Sequence, residues 1–216
     1  MSAEAGLALL IFARAPVAGA AKTRLLPELG PHAAARLQAR MTRRILAIAC
    51  DAQVGSVQLW CAPSTEHEFF RSCRRSFPVS LHVQSGHTLG ERMRFAHDSA
   101  FRTHARVLLV GTDCPMLTAG HLRSAVEDLS QYDAAIIPAE DGGYVLLGLS
   151  QPCPLAFEDM PWGADTVLER TVARLQALGK RCRLQEPLWD VDRPEDYRRL
   201  ATCLPELVEG LDCEPS

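Results

Sequence analysis

Two short stretches of the chain are apolar at every position: residues 7–13 read Leu-Ala-Leu-Leu-Ile-Phe-Ala, and residues 107–111 read Val-Leu-Leu-Val-Gly. A strand with one face in water alternates apolar and polar residues. A strand covered on both faces does not, and continuous runs of this length belong to parallel sheets with helices packed on either side. In such sheets ligands bind in the crevice beyond the carboxyl ends of the strands. The second run stops abruptly at Gly111-Thr-Asp113-Cys-Pro115, so the Asp113 carboxylate is expected there, with Pro115 restraining the chain as it leaves.

The rest of the sequence supplies helices between such strands. In residues 31–50, Leu37, Met41, Ile45 and Ile48 recur at steps of four and three, which predicts a helix with one core face. Arg36, Arg40, Arg43 and Arg44 lie mostly off that stripe and read as a solvated face. Further strands are expected at 56–62, 79–84, 133–138 and 181–189, and helices at 66–77, 118–129 (with Thr118 as N-cap) and 163–178. Another helix opens near Gly90 and reaches about residue 104. Asp141-Gly142-Gly143 is a tight turn that would pair residues 144–149 with the strand before it. A last helix ends near residue 203, and the final dozen residues, with their acids and Pro215, read as a frayed tail. Alternating strands and helices of this kind predict a three-layer α/β/α arrangement with a mostly parallel, mixed sheet. The 216 residues show no repeat, linker or shift of composition, so one domain is expected, with its core at about 7–203.

Net charge is −3, which gives no electrostatic footprint for nucleic acid or an anionic membrane. No run approaches the roughly 18 apolar residues that a membrane helix requires. The eight cysteines, residues 50, 61, 73, 114, 153, 182, 203 and 213, contain no Cys-x-x-Cys pair. They read as reduced thiols packed in a cytoplasmic protein.

The loop after the first strand is the best candidate for anion binding. Arg14, Lys22 and Arg24 fall within eleven residues, separated mainly by small ones. Backbone N–H groups of such a loop can wrap a polyphosphate while the cations neutralise it. The spacing is neither a Walker A loop nor a dinucleotide fingerprint. A divalent metal at Asp113 needs further oxygen donors, and Mg²⁺ is commonly held by one or two carboxylates together with phosphates and water. Asp190-Val-Asp192 offers a second carboxylate from either acid, since at strand spacing both face one way. Asp192-Arg-Pro-Glu195 also has the form of a helix cap. In the Asp141-Gly142-Gly143-Tyr144 turn, glycines permit close backbone approach to a ligand and Tyr144 adds a ring and a hydroxyl. Trp162-Gly163-Ala-Asp165 precedes a helix, where Asp165 can meet a ligand or simply cap. Arg92, just inside its helix, can reach a nucleotide or form a surface ion pair. Cys114 reads as packing.

Taken together, Ala13-Arg-Ala-Pro-Val-Ala-Gly-Ala-Ala-Lys-Thr-Arg-Leu25, Gly111-Thr-Asp-Cys-Pro115, Asp141-Gly-Gly-Tyr144, Trp162-Gly-Ala-Asp-Thr166 and Asp190-Val-Asp-Arg-Pro-Glu-Asp196 resemble a bacterial group in the nucleotide-diphospho-sugar transferase superfamily, with the GT-A fold. Some members of that group are named as glycosyltransferases of arsenosugar biosynthesis. The resemblance runs in order over about residues 7–200. More distantly, the chain is similar to the guanylyltransferases that make molybdenum cofactor dinucleotide or activate 2-phospholactate. The resemblance implies that Ala13, Arg14, Lys22, Thr23, Arg24, Gly90, Arg92 and Thr112 contact the nucleotide. It implies Mg²⁺ or Mn²⁺ on Asp113 with Asp192 or Asp190, and a substrate face made by Asp141, Gly142, Gly143, Tyr144, Trp162, Gly163 and Asp165. Asp113, Lys22 and Asp141 become the candidate catalytic residues. Two departures stand out. Cys114-Pro115 follows Asp113 where a glycosyltransferase usually carries a second acid two residues on, and Thr88 and Ala164 replace an expected acid and hydroxyl.

The expected activity is metal-dependent transfer of a sugar from a nucleotide sugar to a small-molecule acceptor, with an acid such as Asp141 or Asp165 as base. The alternative is nucleotidyl transfer from a nucleoside triphosphate to a phosphorylated small molecule, releasing pyrophosphate. A non-catalytic nucleotide-binding module would leave most of the motifs unexplained. Neither nucleic acid nor membrane is expected as a partner, and a homodimer is allowed for.

Overall fold

The computed structural model describes residues 6–211. Seven strands form one sheet: β1 (Leu7–Arg14), β2 (Ser56–Ala62), β3 (Ser80–Val83), β4 (Arg106–Val110), β5 (Ala134–Pro138), β6 (Tyr144–Leu149) and β7 (Cys182–Leu184). Six helices cover it: α1 (Leu26–Ala52), α2 (Glu68–Ser76), α3 (Leu89–Ala100), α4 (Ala119–Asp128), α5 (Val167–Ala177) and α6 (Pro194–Cys203). The strand order is β3-β2-β1-β4-β6-β5-β7. Every neighbouring pair is parallel except the two that involve β6. The three-layer, mostly parallel mixed sheet is therefore the expected one, and β5 and β6 form the expected hairpin.

The apolar runs are buried on both faces. In β1, Leu7, Leu9 and Ile11 enter one core cluster with Ile45 and Leu46 of α1 and Phe70 of α2. Ala8 and Leu10, between them, enter another with Ala96 and Ala100 of α3. β4 divides in the same way: Leu108 and Val110 go to the first cluster, Val107 to the second and Leu109 to a third under α5. The two-residue period of a strand sends alternate side chains to opposite faces, and helices on both faces leave no face for polar residues.

The chain builds β1, β2 and β3 outward in one direction and then returns to place β4 on the other side of β1. The crevice of an open α/β sheet lies at that reversal. It falls between the carboxyl ends of β1 and β4, where Arg14 and Asp113 stand.

Several boundaries differ from expectation, each for a local reason. The strand expected at 181–189 shrinks to Cys182–Leu184 because Pro187 cannot donate to a ladder; pairing resumes only as an isolated bridge from Leu188 to Ala139. The helix expected from residue 31 begins at Leu26 and is broken at Gly30, whose φ of 69° is open to glycine. The helix opening near Gly90 stops at Ala100, and the one expected from residue 163 starts at Val167. Thr118 does cap α4, accepting the His121 N–H.

The α1 arginines are not a solvated face. Arg36 donates to the Leu211 carbonyl at 2.6 Å, and Arg40 donates to those of Leu207 and Glu209 at 3.0 and 2.7 Å. Arg44 donates to the Pro115 carbonyl at 3.0 Å, and the Arg43 guanidinium stacks over Phe69. The frayed tail is corrected by the same contacts: residues 205–207 form a short 3-10 turn, and Leu207 and Leu211 are buried in a cluster with Leu37 and Tyr197. Pro215 and Cys213 lie outside the described residues. Among the described cysteines all thiols are free; Cys61, Cys73, Cys114 and Cys153 are buried, and Cys203 is exposed. No helix among the described residues is long and apolar enough to cross a membrane.

Candidate functional site

The crevice at the sheet reversal holds a cavity of about 570 Å³, a size typical of small-molecule sites. One side is the loop after β1. The Ala15 N–H is pinned to the Ala62 carbonyl at 2.8 Å. Gly19 then turns the chain at φ 78°, and Lys22 takes a left-handed conformation (φ 49°) before a 3-10 turn at Thr23–Leu25. That path carries the Lys22 ammonium inward. Its Nζ lies 2.5 Å from Asp113 Oδ1 and donates to the Val191 carbonyl at 2.6 Å. The Lys22 side chain is 4% exposed while that of Asp113 is 50% exposed, so the cation is fixed and the carboxylate faces the cavity. The Val191 N–H closes the arrangement by donating to the Asp113 carbonyl at 2.8 Å. Three distant segments thus meet at one point: the first loop, the end of β4 and the chain after β7.

Asp190 lines the same cavity. Its carboxyl is pushed up to about 7, first by burial and then by the neighbouring charges of Asp113 and Asp141. Asp190 and Asp192 were expected to face one way; no ladder forms there, and both line an adjoining cavity, but only Asp190 also lines this one. Asp192 pairs with Arg24. The capping suggested for Asp192 falls to Asp196 instead, whose carboxylate accepts the N–H groups of Asp192 and Arg193 at 3.1 and 2.8 Å.

Ala13, Arg14, Arg92, Thr112, Asp113, Asp141, Gly143, Tyr144, Trp162, Gly163 and Asp190 all line the cavity. Arg24, Asp165 and Asp192 line an adjoining one of about 500 Å³, which shares Asp141, Gly163 and Asp190 with the first. Lys22, Thr23 and Gly142 line neither; Lys22 reaches the first through its bond to Asp113. Thr23 stays in its 3-10 turn, and Gly142 (φ 89°) backs onto Asp165, its carbonyl accepting the Leu168 N–H at 2.8 Å and so anchoring the start of α5. Gly90 also lies off the main cavity. A Cβ there would strike the Trp162 indole N–H and sit 2.6 Å from the Phe157 carbonyl. Gly90→Ala should therefore displace Trp162, costing about 1–3 kcal/mol, read as a lowered chemical-denaturation midpoint together with a change in Trp fluorescence. An unchanged midpoint and spectrum would remove Gly90 as the seat of Trp162.

Thr88, where an acid was expected, caps α3 by accepting the Glu91 N–H at 3.2 Å. Cys114 is packing: burial pushes its thiol up to about 12. The Tyr144 ring meets Trp162 edge-on at 6.3 Å, while its hydroxyl is buried without a partner among the described residues and burial pushes its pKa upward. Residues not singled out from the sequence also line the cavity, notably Gln38, Gln84 and His87. Gln38 carried a signal: a polar residue four before Thr42 on a helix face that continues through Leu46 and Ala49, all buried. Among the described residues no group of three or more His, Cys, Asp or Glu side chains could by itself hold a metal ion.

The sequence profile of a bacterial family, described as "Uncharacterized protein conserved in bacteria (DUF2064)", matches residues 45–164, more than half the chain. The chain belongs to that family. No curated protein matches this DUF2064 member in sequence. Among solved structures, a provisionally named nucleotide-diphospho-sugar transferase from Desulfovibrio desulfuricans G20 superposes with a TM-score of 0.81 at 28% identity, covering 96% of this chain and 99% of that one. The 4-diphosphocytidyl-2C-methyl-D-erythritol synthase of Anaerococcus prevotii gives 0.64 at 11% identity, over 93% and 96%. A nucleotidyl transferase from Methanothermobacter thermautotroptrophicus gives 0.63 at 15%, over 90% and 95%. The two remote likenesses speak for the fold alone, and with the first they identify it as that of the nucleotide-diphospho-sugar transferases and nucleotidyltransferases.

Proposed function

We propose that this DUF2064 protein is a metal-dependent glycosyltransferase, moving a sugar from a nucleotide-sugar donor to a small hydroxyl-bearing acceptor. The observation that carries this reading is the charge of the adjoining cavity. Glu140, Asp141, Asp165, Asp190, Asp192 and Asp196 line it against only Arg24 and Arg193. Arg199 neutralises Glu140 and Arg24 neutralises Asp192, yet the remaining acids still outnumber Arg193. A phosphorylated acceptor entering there would meet like charge, whereas a polyol is well held by carboxylates that accept from its hydroxyls.

Two of the first-loop cations stand apart from those acids. Arg14 lines the main cavity and Lys22 is held against Asp113, which lines it too, and there they would take the donor's phosphates. In the step itself an acceptor hydroxyl oxygen attacks the anomeric carbon. The bond from that carbon to the phosphate oxygen breaks, and its electron pair leaves with the nucleoside diphosphate. Asp141 is exposed, and its Oδ1 is engaged by the Gly143 N–H at 2.9 Å; it would take the acceptor's proton. Lys22, already fixed in place, would meet the growing charge of the leaving phosphate without rearranging.

A divalent ion fits the donor set. The Asp113 charge lies close enough to disfavour ionisation of Asp190, and two carboxylates suit a cation that draws its remaining ligands from phosphate and water. Mg²⁺ or Mn²⁺ held there would supply charge neutralisation on the diphosphate.

One observation favours nucleotidyl transfer instead. The acid beside Asp113 comes from Asp190, in a distant segment, with Cys114-Pro115 where a contiguous second acid would stand. The test is a panel of nucleoside triphosphates and nucleotide sugars, scored by thermal shift with and without Mg²⁺ or Mn²⁺. Stabilisation by at least one nucleotide sugar and metal is expected. Stabilisation by triphosphates alone would replace glycosyl by nucleotidyl transfer.

A further inference from the structure

A chain of buried hydroxyl and amide groups runs from α1 to the residue before Asp113. Thr42 Oγ1 donates to the Gln38 carbonyl at 2.9 Å, one turn back along the helix. With its hydrogen committed there, the Thr42 oxygen can only accept from the Gln38 side chain, which fixes that amide with its NH₂ facing Thr42 at 3.4 Å. The same Gln38 Nε2 donates to Thr112 Oγ1 at 3.2 Å. Thr112 therefore receives a hydrogen, and among the described residues nothing on the protein accepts its own. Gln38 is 6% exposed and Thr112 is 3% exposed, and what remains open of each lines the cavity.

The direction of this chain has a chemical consequence. A lone threonine hydroxyl rotates freely and can face a ligand as donor or acceptor. Here one lone pair is taken by Gln38, and the hydrogen is left for the cavity. A donor so biased suits an anionic oxygen better than a freely rotating hydroxyl does. We infer that the Thr112 hydroxyl is a preset donor to a phosphate oxygen of the bound nucleotide, and that Gln38 is the positioning residue that presets it. The inference rests on the nucleotide reading of the cavity given above. Gln38 touches no phosphate itself; it acts through Thr112, so its effect must vanish when Thr112 cannot donate.

That dependence supplies the test. The diphosphates of uridine, guanosine, cytidine and adenosine, each with excess Mg²⁺, are titrated calorimetrically into the full chain. Thr112→Val is expected to weaken the tightest of the four about tenfold, the scale of one hydrogen bond to a charged group. Thr112→Ser should bind like the parent. Gln38→Met should weaken binding about threefold, since it frees a rotor that was held, but should have no effect in the Thr112→Val background. Equal losses from Gln38→Met in both backgrounds would mean a merely structural role and overturn the inference, as would parental affinity in Thr112→Val. If the parent binds none of the four diphosphates, the nucleotide reading itself fails and the relay's phosphate role falls with it. Should Thr112→Val not fold, Thr112→Ala removes the same hydroxyl.

Discussion

Replacing Asp113 by Asn is expected to abolish the Mg²⁺-dependent part of nucleotide stabilisation while leaving the chain folded. The fold should survive because the tie between Asp113 and Val191 runs through backbone atoms, and the side chain being altered is half exposed. A ligand at a hundred times its Kd stabilises a protein by about 2.7 kcal/mol. In a chain of this size each kcal/mol moves the melting temperature by about 2–4 °C, so the parent should rise by about 5–10 °C with nucleotide and metal. Asp113→Asn should lose the metal-dependent share of that rise, and so should Asp190→Asn. Asp192→Asn should keep most of it, because Asp192 turns towards Arg24 outside the main cavity. Thermal shift on the three variants, with and without Mg²⁺, separates these outcomes. Equal loss in Asp192→Asn would exchange the two acids, and an unchanged metal response in Asp113→Asn would remove it from the site.

The contrast between Asp190 and Asp192 marks where sequence reading ended. Strand spacing put both acids on one side, and that inference needed a strand. Pro187 stops the ladder before either acid is reached, so the segment twists free. Asp190 then turns into the crevice and Asp192 to a cation that sequence alone had placed elsewhere. Pro187 was visible, but its effect depends on β5 lying alongside, which is a tertiary fact. The α1 arginines teach the same lesson. Off the apolar stripe, they look solvated in any helical projection. What Arg36, Arg40 and Arg44 bind are the backbone carbonyls of residues 211, 207, 209 and 115, and carbonyls carry no sequence signal.

The fold was more legible than the site. Continuous apolar runs dictate a sheet covered on both faces, and their alternation with amphipathic helices dictates parallel pairing. Tight glycine turns mark the one reversal, at β6. The residues that line the cavity were legible where charge or glycine stands out against a strand end, as with Arg14, Asp113 and the Asp141–Tyr144 turn. Gln84 and His87 follow a short edge strand and stand out in no such way. Gly90 and Gly142 were noticed for the right property, freedom of approach, yet what approaches them is Trp162 and Asp165 of the protein itself.

Lys22→Met should lower kcat by about 10²–10³-fold, the scale of losing one preorganised charge at a leaving group. Methionine fills the slot that the lysine stem occupies, so the change removes charge more than volume. Stability should move by no more than about 1 kcal/mol: Asp113, freed of its partner, can turn its exposed side to water, and pairs with one exposed member contribute little. Lys22→Arg should not restore the rate, because a planar fork cannot replace a compact ammonium held between Asp113 Oδ1 and the Val191 carbonyl. Arg24→Gln provides the comparison. Arg24 is largely exposed, paired with Asp192 and outside the main cavity, so its loss should at most raise KM with kcat nearly unchanged. Steady-state rates with the donor that stabilises the parent measure both. A parental kcat in Lys22→Met would remove the lysine from the leaving-group side, and an effect confined to KM would make it a binding cation like Arg24. The two cations enter through one loop, but only Lys22 is carried inside, by the left-handed turn at its own position. Burial of that side chain is what turns a basic loop into a charge held at one point.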